Sequence, residues 1–153
     1  NQIMGNNQLV KLIIDSNLNV IEKFINHFLN LYDFKTTLNL TYDNDLQLDF
    51  ANNQPFEKFS SGEQLRIKMS FAFAFIFFLK GINKNNLDII AFDELIDSSM
   101  DEEGIDKTFD ILKELTKDMM VIIISHGMRT QDKFDKIFEV DKSIFSEIKE
   151  ISN

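Results

Sequence analysis

The sequence predicts an α/β fold: a mostly parallel sheet with flanking helices, preceded by a helix and a β-hairpin. Three observations predict it. Leu9, Leu12, Ile13, Val20, Ile21, Phe24, Phe28 and Leu31 recur at helical spacing, with a wobble near Asp15–Asn19. Leu38, Leu40 and Tyr42 alternate, as do Leu46, Leu48 and Phe50, around the turn-forming Asp43-Asn44-Asp45. The runs 88–92 and 119–124 are apolar without alternating, and an amphipathic stretch, 102–117, separates them.

Each element has a local reason. The first helix is expected over 9–31, after a loose polar start at 1–8. The hairpin pairs 36–42 with the strand around 46–50, and the loop 52–59 holds the single proline. A second helix begins at Ser60 or Ser61. Glu63 stands three residues after Ser60 and Gln64 three after Ser61, so either register supplies a capping box. That helix runs to about Lys80, where Gly81 is expected to end it. Leu65, Met69, Ala72, Phe73, Ile76 and Phe77 form its inward stripe. In the helix 102–117, Ile105, Phe109, Leu112 and Leu115 face inward. The two non-alternating strands read as buried on both faces, and strand–helix–strand reads as a parallel crossover. The segments 136–141 and 144–148 read as closing edge strands.

Composition narrows the function. The 153 residues suit one domain, and 44% hydrophobic content with 16 Phe and no Trp can fill a core. A formal charge of -9 does not draw DNA or an anionic membrane by bulk field. No cysteine means no disulfide framework and no thiolate site, which fits a reducing compartment such as the cytoplasm. The longest apolar run, 69–79, is interrupted by Ser70 and is too short to span a bilayer, so no membrane partner is expected.

Three segments carry chemistry. An apolar strand ending in Asp93-Glu94 puts two carboxylates at its C-terminal edge, where open α/β sheets bind ligands. One can hold Mg²⁺ and the other can orient or deprotonate a water aimed at a phosphoryl group. Adjacent strand residues face opposite ways, so the roles differ: Asp93 is assigned to the metal and Glu94 to the water. Two acidic residues opening a solvent loop is the bland alternative. His126, after Ser125 at the end of the next strand, can reach a terminal phosphate or the attacking water, whereas His27 reads as a helix-surface residue. The stretch 60–64 offers hydroxyls and backbone donors at a helix N-terminus, a ready anion site, although an ordinary capped helix explains it equally well. Gly62 in the first turn costs helix propensity, which close backbone approach to a ligand would justify. Asp97, Asp101, Glu102, Glu103 and Asp106 form an acidic cluster, most of which fits a solvated helix start.

Taken in order, these segments resemble the C-terminal half of an SMC-like ABC-type P-loop ATPase head, and within that class the ATPase subunit of the recombination and repair exonuclease, bacteriophage forms included. The resemblance covers roughly 56–150. Phe59-Ser60-Ser61-Gly62-Glu63 is similar to the signature Leu-Ser-Gly-Gly-Gln/Glu, with Phe for Leu and Ser for the first Gly. Residues 87–94 match the Walker B strand, Ser98-Ser99-Met100-Asp101 resembles the D-loop with Met for Leu, and His126 matches the switch histidine.

The resemblance implies a C-terminal ABC ATPase lobe over 32–153 and a coiled-coil root over 1–31. It implies ATP and Mg²⁺ as ligands, with Asp93, Glu94 and His126 acting on the nucleotide of their own head. Ser60, Ser61, Gly62 and Glu63 would face the γ-phosphate held by a second head, and Asp101 would cross the dimer interface. No Gly-x-x-x-x-Gly-Lys-Ser/Thr segment and no Q-loop occur in the 153 residues. Tight nucleotide binding is therefore expected only with a Walker-A lobe in cis or trans. A second head, a nuclease subunit and DNA contact through the assembly follow as expected partners. Two other readings stand beside it: a chromosome-organising head without a nuclease, and a catalytically silent regulatory protein using the same lobe.

Overall fold

The computed structural model describes residues 6–43, 45–82, 88–93, 100–117, 119–125, 131–142 and 146–151. Helix α1 spans Asn6–Leu31, and strands β1 (Leu38–Asp43) and β2 (Asp45–Phe50) form an antiparallel hairpin. Helix α2 spans Ser61–Ile82 and leads to strand β3 (Ile89–Asp93). Helix α3 (Glu102–Thr116) returns the chain to strand β4 (Met120–Ile124), and β5 (Ile137–Lys142) with β6 (Ser146–Ile151) closes the order. The predicted fold class holds. Among the described residues the strands make one parallel pair, β3–β4, and two antiparallel pairs, β1–β2 and β5–β6.

Helix α1 starts three residues before its predicted position, and of the residues that set its spacing Ile21 and Phe28 are buried and Phe24 packs on the core. Ile21, Ile25, Phe28, Leu29 and Tyr32 are buried, while Val20 and Leu31 are exposed. The helix ends in a Schellman turn: the Phe34 amide bonds to Leu29 O at 3.0 Å and the Asp33 amide to Asn30 O at 3.0 Å. Asp33, at φ 59°, takes the left-handed position that glycine usually fills, and its carboxylate is bound by Lys107. Polar residues of α1 also satisfy the edge of β1. Asn26 receives the Leu38 amide at 2.7 Å and donates to Leu38 O at 2.8 Å, and Glu22 receives the Leu40 amide at 2.7 Å. A helix thus stands where another strand would otherwise pair.

The hairpin buries only the end nearest the core. Leu38 and Phe50 pair across it and are buried, whereas Leu46 and Leu48 are exposed. Helix α2 does not end at Gly81 but continues to Ile82. Among the described residues no glycine has a positive φ, and nothing lies within 4 Å of where a Gly81 side chain would start, so this residue is an ordinary helical position.

The core runs from Ile21 through the hairpin and α2 to α3. Phe73 on α2 contacts Phe28 and Phe92, with ring centroids 5.6 and 5.9 Å apart. It thereby ties α1 and β3 to one helix. In α3 the four predicted inward residues are all buried. The second closing strand is described over Ser146–Ile151, with 144 and 145 outside the described residues, and β5–β6 forms its own sheet among the described residues.

One expectation about burial fails. Residues of β3 and β4 alternate in exposure. Phe92 is buried and Ile90, Val121 and Ile123 pack against the core, while Ile89 (57%), Met120 (60%), Ile122 (42%) and Ile124 (48%) are exposed. The pairing register puts Ile89 with Met120, Ala91 with Ile122 and Asp93 with Ile124, all on the uncovered face. The strands have the composition of a sheet buried on both sides, and the described helices cover one.

Candidate functional site

The turn before α2 selects one of the two capping registers. The Ser60 amide and hydroxyl each donate to Glu63 Oε2 at 2.8 Å, and the Glu63 amide returns a 3.3 Å contact to Ser60 Oγ. This is a reciprocal capping box. Gln64 instead donates from Nε2 to Phe59 O at 2.9 Å. The two bonds from Ser60, with a smaller attraction from Arg66, hold the Glu63 carboxyl below the usual carboxylate range. Ser61 is exposed and Gly62 half-buried in the first turn of α2, so the backbone there is presented at a helix N-terminus.

Asp101 is the N-cap of α3. Its Oδ1 accepts the Gly104 amide at 2.9 Å, and its Oδ2 lies 3.9 Å from Arg66 Nη2. Gly104 has no room for a side chain: a Cβ would stand 2.6 Å from Met100 Cγ and 2.7 Å from Asp101 Oδ1. The acidic cluster divides accordingly. Glu103 and Asp33 share Lys107, and Asp106 binds Lys133. These are solvated partners of α3, as the bland reading of the cluster expects. Lys133 and Phe134 also pack on Phe109, at 5.4 and 5.3 Å, fastening the segment after β4 to α3.

Asp93 ends β3, exposed, one residue after the buried Phe92. A single accessible carboxylate at a strand's C-terminal edge is a hard oxygen donor. It fits Mg²⁺, which is commonly held by one or two carboxylates together with substrate phosphates. No group of three or more His, Cys, Asp or Glu residues suited to a metal occurs among the described residues. Glu94, His126 and Asp97 lie outside the described residues. His27 sits exposed on α1, edge-on to Phe28.

Arg66 is the residue that sequence reading passed over. Its side chain is only 15% exposed. The guanidinium carbon lies 5.9 Å from the Phe34 ring centroid, and its buried Nε has no hydrogen-bond partner among the described residues. A lone basic residue on a helix gives no sequence signal for this.

These features define a class: the chain has the fold of an SMC-type ABC ATPase head. Against a solved structure from work on ATP-driven dimerization and DNA-stimulated activation of SMC ATPases, the TM-score is 0.76 at 18% identity, covering 93% of this chain and 89% of the other. Against an Smc head bound to the C-terminal winged-helix domain of ScpA it is 0.75 at 19% identity, covering 93% and 46%. Against the Smc head of Pyrococcus yayanosii it is 0.74 at 20% identity, covering 95% and 29%.

Particular relatives emerge from sequence. Exonuclease subunit 2 of Escherichia phage RB69 is 28% identical over 132 residues, covering 85% of this chain. Exonuclease subunit 2 of Enterobacteria phage T4 is 25% identical over 132 residues, again covering 85% of this chain. The chain spans 23% of the length of each. The probable exonuclease subunit 2 of Escherichia phage T5 is 29% identical over 129 residues, covering 78% of this chain and 20% of the relative. No family model matches the chain. No helix among the described residues is long and apolar enough to cross a membrane.

Proposed function

We propose that this chain is the C-terminal lobe of an SMC-like ATPase head, which binds and hydrolyses ATP together with a Walker-A lobe and so drives head dimerisation. The observation that carries the reading is the uncovered face of the β3–β4 sheet. Ile89, Met120, Ile122 and Ile124 lie on it, and Asp93 stands at its C-terminal end. A fully buried Ile or Met side chain stabilises by about 1.5–3 kcal/mol relative to exposure. A lobe that covers this face would therefore gain binding energy and bring a phosphate cradle to the Asp93 edge in one step.

In the completed site Asp93 would hold Mg²⁺, which would supply charge neutralisation of the phosphates. Glu94 orients and deprotonates the attacking water, and His126 hydrogen-bonds the terminal phosphate. Ser60, Ser61, Gly62 and Glu63 present the signature turn to the γ-phosphate of an opposing head, and Asp101 stands at the dimer interface. The capping box engages the Ser60 hydroxyl with Glu63 and leaves Ser61 exposed, so Ser61 and the backbone of the first turn are the groups open to a phosphate.

The finer role is DNA recombination, repair or end processing with a nuclease partner, supported by the phage relatives called exonuclease subunit 2. A second reading, a chromosome-organising head, is favoured by the likeness to SMC heads. An ScpA-type partner in place of a nuclease would follow from it. The test of the shared mechanism is Glu94→Gln in a completed head. ATP-driven dimerisation is expected to persist while turnover stops, and unchanged turnover would sink the assignment. Co-purification of a nuclease rather than a winged-helix subunit separates the two roles.

A further inference from the structure

Three elements meet at Arg66. It projects from α2 six residues after the capping Ser60, its guanidinium lies over Phe34 just past the end of α1, and it faces Asp101 at the start of α3. The neighbouring contacts bind the same three elements. Tyr32, at the end of α1, is 2.7 Å from Thr108 of α3, and Thr108 also reaches Met100 Sδ at 3.2 Å. Phe34 in turn stacks edge-on to Phe59, 6.0 Å away and next to Ser60.

We propose that Arg66 is a positioning residue, which fixes Asp101 and the first turn of α3 against the signature turn and the end of α1. The division of labour within Asp101 carries this. One oxygen caps Gly104 while the other faces the guanidinium, so the carboxylate cannot swing without loosening both. An exposed ion pair is ordinarily worth little because two mobile side chains must be ordered. Here Arg66 is ordered already: it is largely buried and held over Phe34, and a planar guanidinium stacks where an ammonium would not. Among the described residues its Nε has no hydrogen-bond partner, and its Nη2 is the nitrogen that faces Asp101. A displacement of α1 therefore reaches Phe34, Arg66 and Asp101 in sequence.

The contact itself is tested on the chain alone, by amide hydrogen exchange in Arg66→Met and Asp101→Asn. Arg66→Met is expected to speed exchange at Gly104 and Ile105 by about fivefold, the factor for roughly one kcal/mol. Leu112 and Leu115 should stay unchanged. The Arg66→Met effect should shrink in the Asp101→Asn background. A uniform speeding along α3, or none at Gly104, would overturn the proposal. Asp101→Asn changes an exposed group, so that arm survives if Arg66→Met folds poorly. The consequence for activity rests on the reading above. In a completed head, Arg66→Met should raise the ATP concentration for half-maximal dimerisation several-fold while ATP affinity of the single head stays constant. Unchanged dimerisation would overturn the positioning role. A wild-type head that never dimerises with ATP would instead sink the proposed function, and the exchange data would still decide Arg66.

Discussion

The Tyr32 hydroxyl lies 2.7 Å from Thr108 Oγ1, a buried bond between residues at the end of α1 and the middle of α3. Thr108 has one proton, and Gly104 O accepts it at 2.8 Å, so Tyr32 is the donor of the pair. Burial pushes the Tyr32 phenol up to about 12, against weaker opposing effects of Thr108 and Arg66, so it remains a donor throughout the neutral range. Thr108→Val strands a buried hydroxyl and is expected to cost about 1–3 kcal/mol, whereas Tyr32→Phe costs about 1 kcal/mol. The double variant should lose less than the sum. Urea unfolding of the three variants checks this, and strict additivity would contradict it.

Glu63 makes the turn before α2 sensitive to acid. Its folded carboxyl is depressed by the Ser60 bonds, so its contribution is complete above the ordinary glutamate value of about 4.3. That contribution is lost as pH falls through the lower folded value. Glu63→Gln should therefore be less stable than the parent at pH 7, with the gap closing as the solution is acidified below the glutamate range. Denaturant midpoints measured from pH 7 down to pH 3 read it directly, and a gap independent of pH would show that the charge contributes nothing.

Gly104→Ala should destabilise the chain although alanine is the better helix former by about 1 kcal/mol. The new Cβ would lie 2.7 Å from Asp101 Oδ1, displacing the cap that accepts the Gly104 amide. Loss of a cap costs about 0.5–2 kcal/mol, and Met100 must also shift in a buried position. Thermal unfolding should fall by several degrees. A rise in melting temperature would mean that Asp101 relaxes at no cost.

Ile122→Asp separates folding from assembly. Ile122 is 42% exposed on the uncovered sheet face, so the chain's own stability should change by no more than about 0.5 kcal/mol, as surface substitutions usually do. Binding to a Walker-A lobe should fail, because a carboxylate would be buried without a partner. Titration of the lobe against parent and variant chains measures both effects. Equal binding would place the lobe on another face.

How much was legible in the sequence follows from how local each signal is. The Ser60–Glu63 capping box and the inward face of α3 depend on residues three or four apart, and the pattern contains them. The Asp93 position follows from an apolar strand ending in acids. The spacing that marks α1 as a helix does not fix its buried face, because apolar residues nearly surround it: Ile25 and Leu29 are buried where Val20 and Leu31 are not. Gly81 gave a stop signal one residue before the end of α2 at Ile82, a difference within the ordinary spread of helix ends. The contacts of Arg66, Asn26 and Glu22 join residues whose sequence separation hides them. The open face of β3–β4 is the instructive failure. The non-alternating strands have the composition of a sheet buried on both faces, yet Ile89, Met120, Ile122 and Ile124 are exposed, because composition alone does not say whether a second layer is present.

The first measurement is Mg²⁺-dependent ATP turnover by the chain alone and mixed with a Walker-A lobe. Turnover in the mixture only, abolished by Glu94→Gln, is the predicted result. Turnover by the chain alone at the rate of the mixture would contradict it.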